Sequence, residues 1–212
     1  MARLLITILF TAACITLSAQ ADPAAVSALD RFADIAVRAP SVTYEFRLVT
    51  DDATEGRSDT ISGTIVLSGD MYRLTLPDNT IYYDGEDVWN HLPDLNEVTI
   101  TKPEEDELSF FARPSLLFTM HREEFKVRLL DETMTNYTID LYPEEPHTGL
   151  IRFRVTIGKS RFDLISAQYA LTNGITVSLR VLDQDISFVP PDDYFSFNPD
   201  NHPDIEVVDM RF

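Results

Sequence analysis

From Val42 onward, apolar residues fall on every second position of the chain. The run "SVTYEFRLVT" sets Val42, Tyr44, Phe46 and Leu48 against Thr43, Glu45 and Arg47, the period of a strand with one face in a core. The same alternation returns in "TISGTIVLSG", "MYRLTLP", "TIYY", "DVWNHL", "EVTIT", "FKVRLLD", "TNYTIDLYP", "GLIRFRVTIG", "RFDLISAQYALT" and "GITVSLRVL". Turn-forming residues separate these runs at Pro77-Asp78-Asn79, Asp84-Gly85, Pro93-Asp94-Leu95-Asn96 and Asn173-Gly174. Around ten short strands in an antiparallel meander are therefore predicted.

Two stretches break the period. In "DPAAVSALDRFADIAVRAP", Asp22 is placed to cap a helix that Pro23 starts, Val26, Leu29, Ala33 and Ala36 recur at helical spacing with Phe32 and Ile35 beside them, and Pro40 ends it. In "PEEDELSFFARPSLLFTMHR", Pro103 and the acids after it suit a helix start, and Pro114 splits the stretch into two short helices. The proline-rich tail "FVPPDDYFSFNPDNHPDIEVVDMRF" predicts a loop and a last strand. The fold class expected is α+β, mainly β.

Ahead of this domain, "MARLLITILFTAACITLSAQA" has Arg3, an apolar run from Leu4 and a small-x-small ending at Ala19-Gln20-Ala21. It predicts a cleavable signal peptide over residues 1–21, the run being too short and too poorly flanked for a membrane span. Lipidation at Cys14 is the rival reading. Residues 22–212, about 190 in number, are enough for one domain with a sizeable core, and no linker suggests a second.

Charge and cysteine content narrow the setting. The chain has 17 basic and 35 acidic side chains, net −18, and losing residues 1–21 would remove Arg3 and no acid. Such a surface repels phosphate backbones and argues against nucleic acid as a partner. The only cysteine, Cys14, would leave with the signal, so no disulfide or thiol chemistry is expected and an exported protein of the bacterial periplasm fits.

Motifs that carry chemistry are missing. His91, His121, His147 and His202 stand far apart, and "HREE" at His121 lacks the second histidine of a zinc-protease helix. There is no phosphate loop and no nucleophile elbow. The acidic clusters Asp51-Asp52, Glu104 to Glu107, Glu123-Glu124, Glu144-Glu145 and Asp192-Asp193 read as solvated loops and helix starts, although two carboxylates across a cleft would suffice for a hydrolase. No catalytic residue, metal or cofactor is expected. The apolar inventory is richer: 13 Phe, 8 Tyr and one Trp spread over nearly every strand. A curved sheet lined by them and covered by the two helical segments would enclose either a filled core or a pocket for an acyl chain.

Read in order, "GTIVLSGDMYRLTLPDNTIYYDGEDVWNHLPDLNEVTITKPEED" (residues 63–106), the following "PSLLF", and "FSFNPDNHPDIEVVDMRF" (195–212) resemble the periplasmic outer-membrane lipoprotein carrier protein family, LolA. The resemblance spans the chain from the helix near Asp22 to the end. It implies an unclosed antiparallel half-barrel under a helical lid and no catalysis. It also implies a monomer that takes acylated lipoproteins from an ATP-driven inner-membrane release complex to an outer-membrane acceptor. Tyr44, Phe46, Ile65, Leu67, Tyr72, Leu74, Trp89, Phe110, Phe111, Leu117 and Phe118 are then the candidate cavity and lid residues, with core packing as the alternative role for each, and only one of Val88 and Trp89 can point inward. A membrane-anchored acceptor or a lipoprotein-sensing regulator on the same half-barrel is the second reading. One departure stands out: members of the family end the strand matching "GTIVLSGD" with an arginine that helps hold the lid, whereas this chain has Leu67-Ser68-Gly69-Asp70 and its nearest arginine is Arg73.

Overall fold

The computed structural model describes residues 22–103, 114–122, 125–144 and 149–211. Helix α1 (Pro23–Arg38) starts as its sequence dictates: the Asp22 carboxylate accepts from the Ala24 N–H at 3.0 Å, and Pro23 fills the first turn, where a missing N–H costs nothing. Its buried face runs through Ala25, Ala28, Leu29, Phe32 and Ala33. That stripe is turned slightly from the expected one, since Val26 and Ala36 lie at its margin.

Twelve strands follow: β1 (Val42–Asp52), β2 (Arg57–Ser68), β3 (Met71–Thr75), β4 (Thr80–Tyr83), β5 (Val88–Leu92), β6 (Glu97–Thr101), β7 (Phe125–Glu132), β8 (Asn136–Pro143), β9 (Leu150–Gly158), β10 (Leu164–Leu171), β11 (Ile175–Asp185) and β12 (Glu206–Asp209). They form one sheet in the order β12-β6-β5-β4-β3-β2-β1-β11-β10-β9-β8-β7. Two antiparallel meanders, β1 to β6 and β7 to β11, are thus joined where the first strand pairs with the eleventh, Thr43 opposite Asp185 through Asp52 opposite Ile175. The tail strand β12 adds a parallel edge to β6. Edges β12 and β7 do not meet, so the sheet is unclosed. Between the meanders stands α2 (Leu116–Thr119), continued by a 3-10 turn at Met120–Arg122. The first of the two helices expected between Pro103 and Pro114 lies outside the described residues. No described helix is long and apolar enough to cross a membrane.

Turn chemistry holds the register. The Asp84 carboxylate accepts from the N–H groups of Glu86 and Asp87, both at 2.9 Å, while Gly85 takes φ +99°, a region that other residues enter at a cost. Gly63 serves a different need. A Cβ there would meet Thr75 O at 2.7 Å and Leu76 Cδ2 at 2.8 Å, so only glycine lets the chain pass so close.

The two faces of the sheet are buried by different means. The inner face carries the main core, in which Leu29 and Phe32 of α1 and Leu117 and Phe118 of α2 pack with Tyr44, Leu67, Ile139 and Val155. The outer face of β2 to β6 is covered by the tail. There Val66, Val98 and Ile100 are buried together with Phe195 and Phe197. Phe197 meets Trp89 at 6.1 Å and His91 at 4.8 Å between ring centroids, and His202 stacks on Phe197 at 4.6 Å. Burial pushes the His91 pKa down from its ordinary value, and the neighbouring His202, 4.9 Å away, pushes the same way. A histidine with a depressed folded pKa binds fewer protons in the native state, so its contribution is intact above about pH 6.5 and lost as pH falls from there through the folded value. Tail packing is therefore expected to loosen on acidification below about pH 6.5, with His91→Phe removing the dependence. Hydrogen exchange at the β5 and β12 amides measures it.

Candidate functional site

The inner face encloses a cavity lined, among the described residues, by Tyr44 and Phe46 of β1, Ile65 and Leu67 of β2, Leu74 of β3, Leu164 of β10, Leu179 of β11, and Pro114 and Leu117 from the helical segment. Period-2 strands deliver it: Tyr44 stands opposite Ile65 and Ile65 opposite Leu74, so one row of apolar side chains crosses three strands on one face. The free space amounts to about 20 Å³. That holds about one water molecule, so in this conformation the lining side chains nearly fill the space.

Six of the sequence candidates come together here: Tyr44, Phe46, Ile65, Leu67, Leu74 and Leu117. Tyr72 is buried in the same core beside the ring of Tyr83, at 5.6 Å. Phe118 turns to α1 and meets Phe32 at 5.3 Å between ring centroids. Phe110 and Phe111 fall outside the described residues. Trp89 does not line the cavity. It stands opposite Tyr82 and Ile100 on the outer face, against Phe197, while Val88, opposite Tyr83, takes the inner side. Pro114, Leu164 and Leu179 were not anticipated. Leu179 follows the alternation of "GITVSLRVL", but only the pairing of β11 with β1 sets it opposite Leu48 and into the cavity with Phe46.

Polar contacts hold the cover in place. Asp30 of α1 accepts from His121 Nε2 at 3.1 Å and from Arg122 Nη2 at 3.2 Å, joining α1 to the turn after α2. The hydrogen bond from His121, followed by those from Arg122, outweighs desolvation and holds the Asp30 carboxyl below its usual range. At the other end of α2, the Ser115 hydroxyl donates to Asp70 Oδ1 at 3.1 Å. Asp70 lies in the turn between β2 and β3, at the place where the resemblance implies an arginine, so here a carboxylate meets the helical segment. Arg73 cannot substitute for the arginine: it lies on the outer face, its guanidinium 5.0 Å from the rings of both Tyr82 and Tyr194.

One lining residue carries a buried polar group. Tyr44 is buried and its hydroxyl has no hydrogen-bond partner among the described residues. Burial, with a smaller contribution from the charge of Asp163, drives its pKa above the ordinary tyrosine range, so the group stays neutral. An unsatisfied buried hydroxyl costs about 1–3 kcal/mol. Tyr44→Phe is expected to raise stability by about 1 kcal/mol and the melting temperature by roughly 2–4 °C, as read by calorimetry.

Comparison with known proteins follows the same line. The family model described as outer membrane lipoprotein carrier protein LolA matches residues 15–163. An uncharacterized conserved protein from Thermus thermophilus shares the fold, with a TM-score of 0.55 and 13% identity over 88% of this chain and 99% of that one. A LolA superfamily protein from Nitrosomonas europaea matches with a TM-score of 0.44 and 13% identity over 82% of this chain and 97% of that one. The lipoprotein LppX of Mycobacterium tuberculosis matches with a TM-score of 0.46 and 13% identity over 84% of this chain and 98% of that one. No curated protein matches the sequence.

Proposed function

The chain belongs to the outer membrane lipoprotein carrier protein LolA family, and on that premise we propose that it is a periplasmic carrier that holds the acyl chains of lipoproteins in its inner cavity. Export would follow from the signal peptide over residues 1–21, leaving residues 22–212 as one carrier domain. Cargo would come from an ATP-driven inner-membrane release complex and pass to an outer-membrane acceptor, with no covalent chemistry at any step.

The observation that carries this reading is the cavity itself: among the described residues its exposed lining is apolar, drawn from both meanders and covered by Pro114 and Leu117 of the helical segment. An acyl chain of about 16 carbons gains on the order of 12 kcal/mol from burial at ~0.8 per methylene, so it does not cross water unaided. A closed space of about 20 Å³ cannot take it. The helical cover must swing away first, and what resists is chiefly apolar packing, since Leu117 and Phe118 are 2% and 6% exposed and Phe118 meets Phe32 of α1, while the polar contacts add little. Asp30 and Arg122 are each 47% exposed, and such pairs contribute about 0–1 kcal/mol. Opening then uncovers a few apolar side chains, which the entering acyl chain covers again.

Purified protein incubated with spheroplasts carrying newly acylated lipoprotein tests the proposal. A soluble complex of carrier and lipoprotein in the supernatant is expected. Cargo that stays with the membrane, with the release complex present and the protein folded, would sink it.

A further inference from the structure

The outer face where the two meanders join carries a feature that the carrier reading does not use. Arg47 of β1 stands directly opposite Arg180 of β11, and Arg180 opposite Ser166 of β10. In the next row Ser178, Gln168 and Arg154 follow one another across β11, β10 and β9. Together these side chains line an open groove of about 400 Å³. Like charges directly opposite each other in a sheet are destabilising, and neither Arg47 nor Arg180 has an acidic partner within ion-pair distance among the described residues. Acids are abundant in this chain, at 35 against 17 bases, yet Glu45 and Asp183 are paired one row away and make no ion pair with the two arginines.

The groove floor is ordered, and its donors face outward. Arg152 Nη2 donates to Gln168 Oε1 at 2.8 Å, and Gln168 Nε2 donates to Ser178 Oγ at 3.0 Å. Because Ser178 already accepts, its own O–H is free to donate. Among the described residues the Ser166 side chain makes no hydrogen bond, so a second hydroxyl is available. Arg154 gives Nε and Nη2 to Asp140 at 2.6 and 2.9 Å, which fixes the guanidinium and leaves its other edge. Two guanidinium groups without acidic partners, one oriented one and two hydroxyls able to donate therefore line one groove, with no carboxylate in its lining among the described residues. A planar carboxylate would use only two oxygens on such a cluster, whereas a phosphate group offers acceptors on every side.

We propose that this groove binds a phosphate group, carried either by the headgroup of an anionic phospholipid or by a free phosphate ester. At physiological salt, charges beyond about 8 Å are screened, so the net negative charge of the chain does not prevent binding by a local cluster of arginines.

Inorganic phosphate and glycerol phosphate titrated into isotope-labelled protein should shift the amides of Arg47, Ser166, Ser178 and Arg180, with acetate as control. Vesicles of phosphatidylglycerol in phosphatidylcholine, against phosphatidylcholine alone, test the headgroup by co-sedimentation. The double variant R47Q/R180Q should bind the active source roughly tenfold more weakly or worse, as loss of charge-assisted hydrogen bonds requires. It should melt no lower than the parent, because it removes a like-charge pair. Response to the soluble phosphates assigns a free ester, and response to phosphatidylglycerol vesicles alone assigns the headgroup. Silence from both overturns the proposal. So does equal binding by the double variant, or capture of an oligoglutamate peptide with neither phosphate source, which would assign the groove to an acidic protein.

Discussion

Asp140→Ala is expected to lower the unfolding free energy by about 3–5 kcal/mol. Asp140 is 1% exposed, yet it sits on the outer face of β8, where an apolar residue would be more usual under cover. It is held by Arg154 through two hydrogen bonds and by the Tyr142 hydroxyl at 3.1 Å. Burial alone would raise its pKa. Arg154, with smaller help from Tyr142 and Arg152, outweighs burial and holds the carboxyl below the usual carboxylate range. Removing the carboxylate leaves Arg154 and the Tyr142 hydroxyl without their partner. The Arg154 side chain is 30% exposed and can recruit water, which places the effect toward the lower end of the range. The sign of the pH dependence follows from the depressed pKa. The stabilisation is complete above about pH 3.9, the unfolded value, and is lost as pH falls through the folded value. Urea unfolding at several pH values should therefore show a constant gap between parent and variant near neutrality that narrows below about pH 4. A gap unchanged down to about pH 2 would contradict the ion-pair account.

Phe118→Ala should cost about 3–4 kcal/mol, the lower part of the range for buried phenylalanine, because the short α2 can move away instead of leaving a void. Its ring is the aromatic contact between α2 and Phe32 of α1. If the helical segment covers the cavity, weakening it should also speed the uptake of a fluorescent fatty acid. Ile139→Ala separates the two effects. Ile139 is fully buried under the other meander and does not line the cavity. Its loss should cost a similar amount, about 2–5 kcal/mol, with uptake unchanged. Equal uptake by both variants would show that α2 does not gate entry.

The strands and turns were legible because their causes are local. Alternation over four to eleven residues marks a half-buried strand, and Asp84-Gly85 and Asn173-Gly174 have the conformational freedom that their turns use, with Gly174 at φ +88°. The cavity residues of β1 to β3 were legible for the same reason. Trp89 was not. In "DVWNHL" both Val88 and Trp89 are apolar because β5 is covered on both faces, by the core on one and by the tail on the other, and a strand buried twice has no alternation to read. The roles of Asp30, Asp70 and His121 were hidden too. Each acts through a partner at least 45 residues away, and charged residues in an acidic chain look alike until the fold brings their partners close.

The sequence by itself determined that the chain forms a helix and a series of half-buried antiparallel strands with one greasy face, because hydrophobic period and turn residues act over a few positions. Only the tertiary structure decided that β1 pairs with β11, that the tail covers the outer face, that the cavity draws on both meanders, and that Arg47 and Arg180 stand side by side. Those outcomes depend on contacts between residues more than a hundred positions apart, where closing the loop costs only slightly more with distance and no local pattern records which partner is chosen.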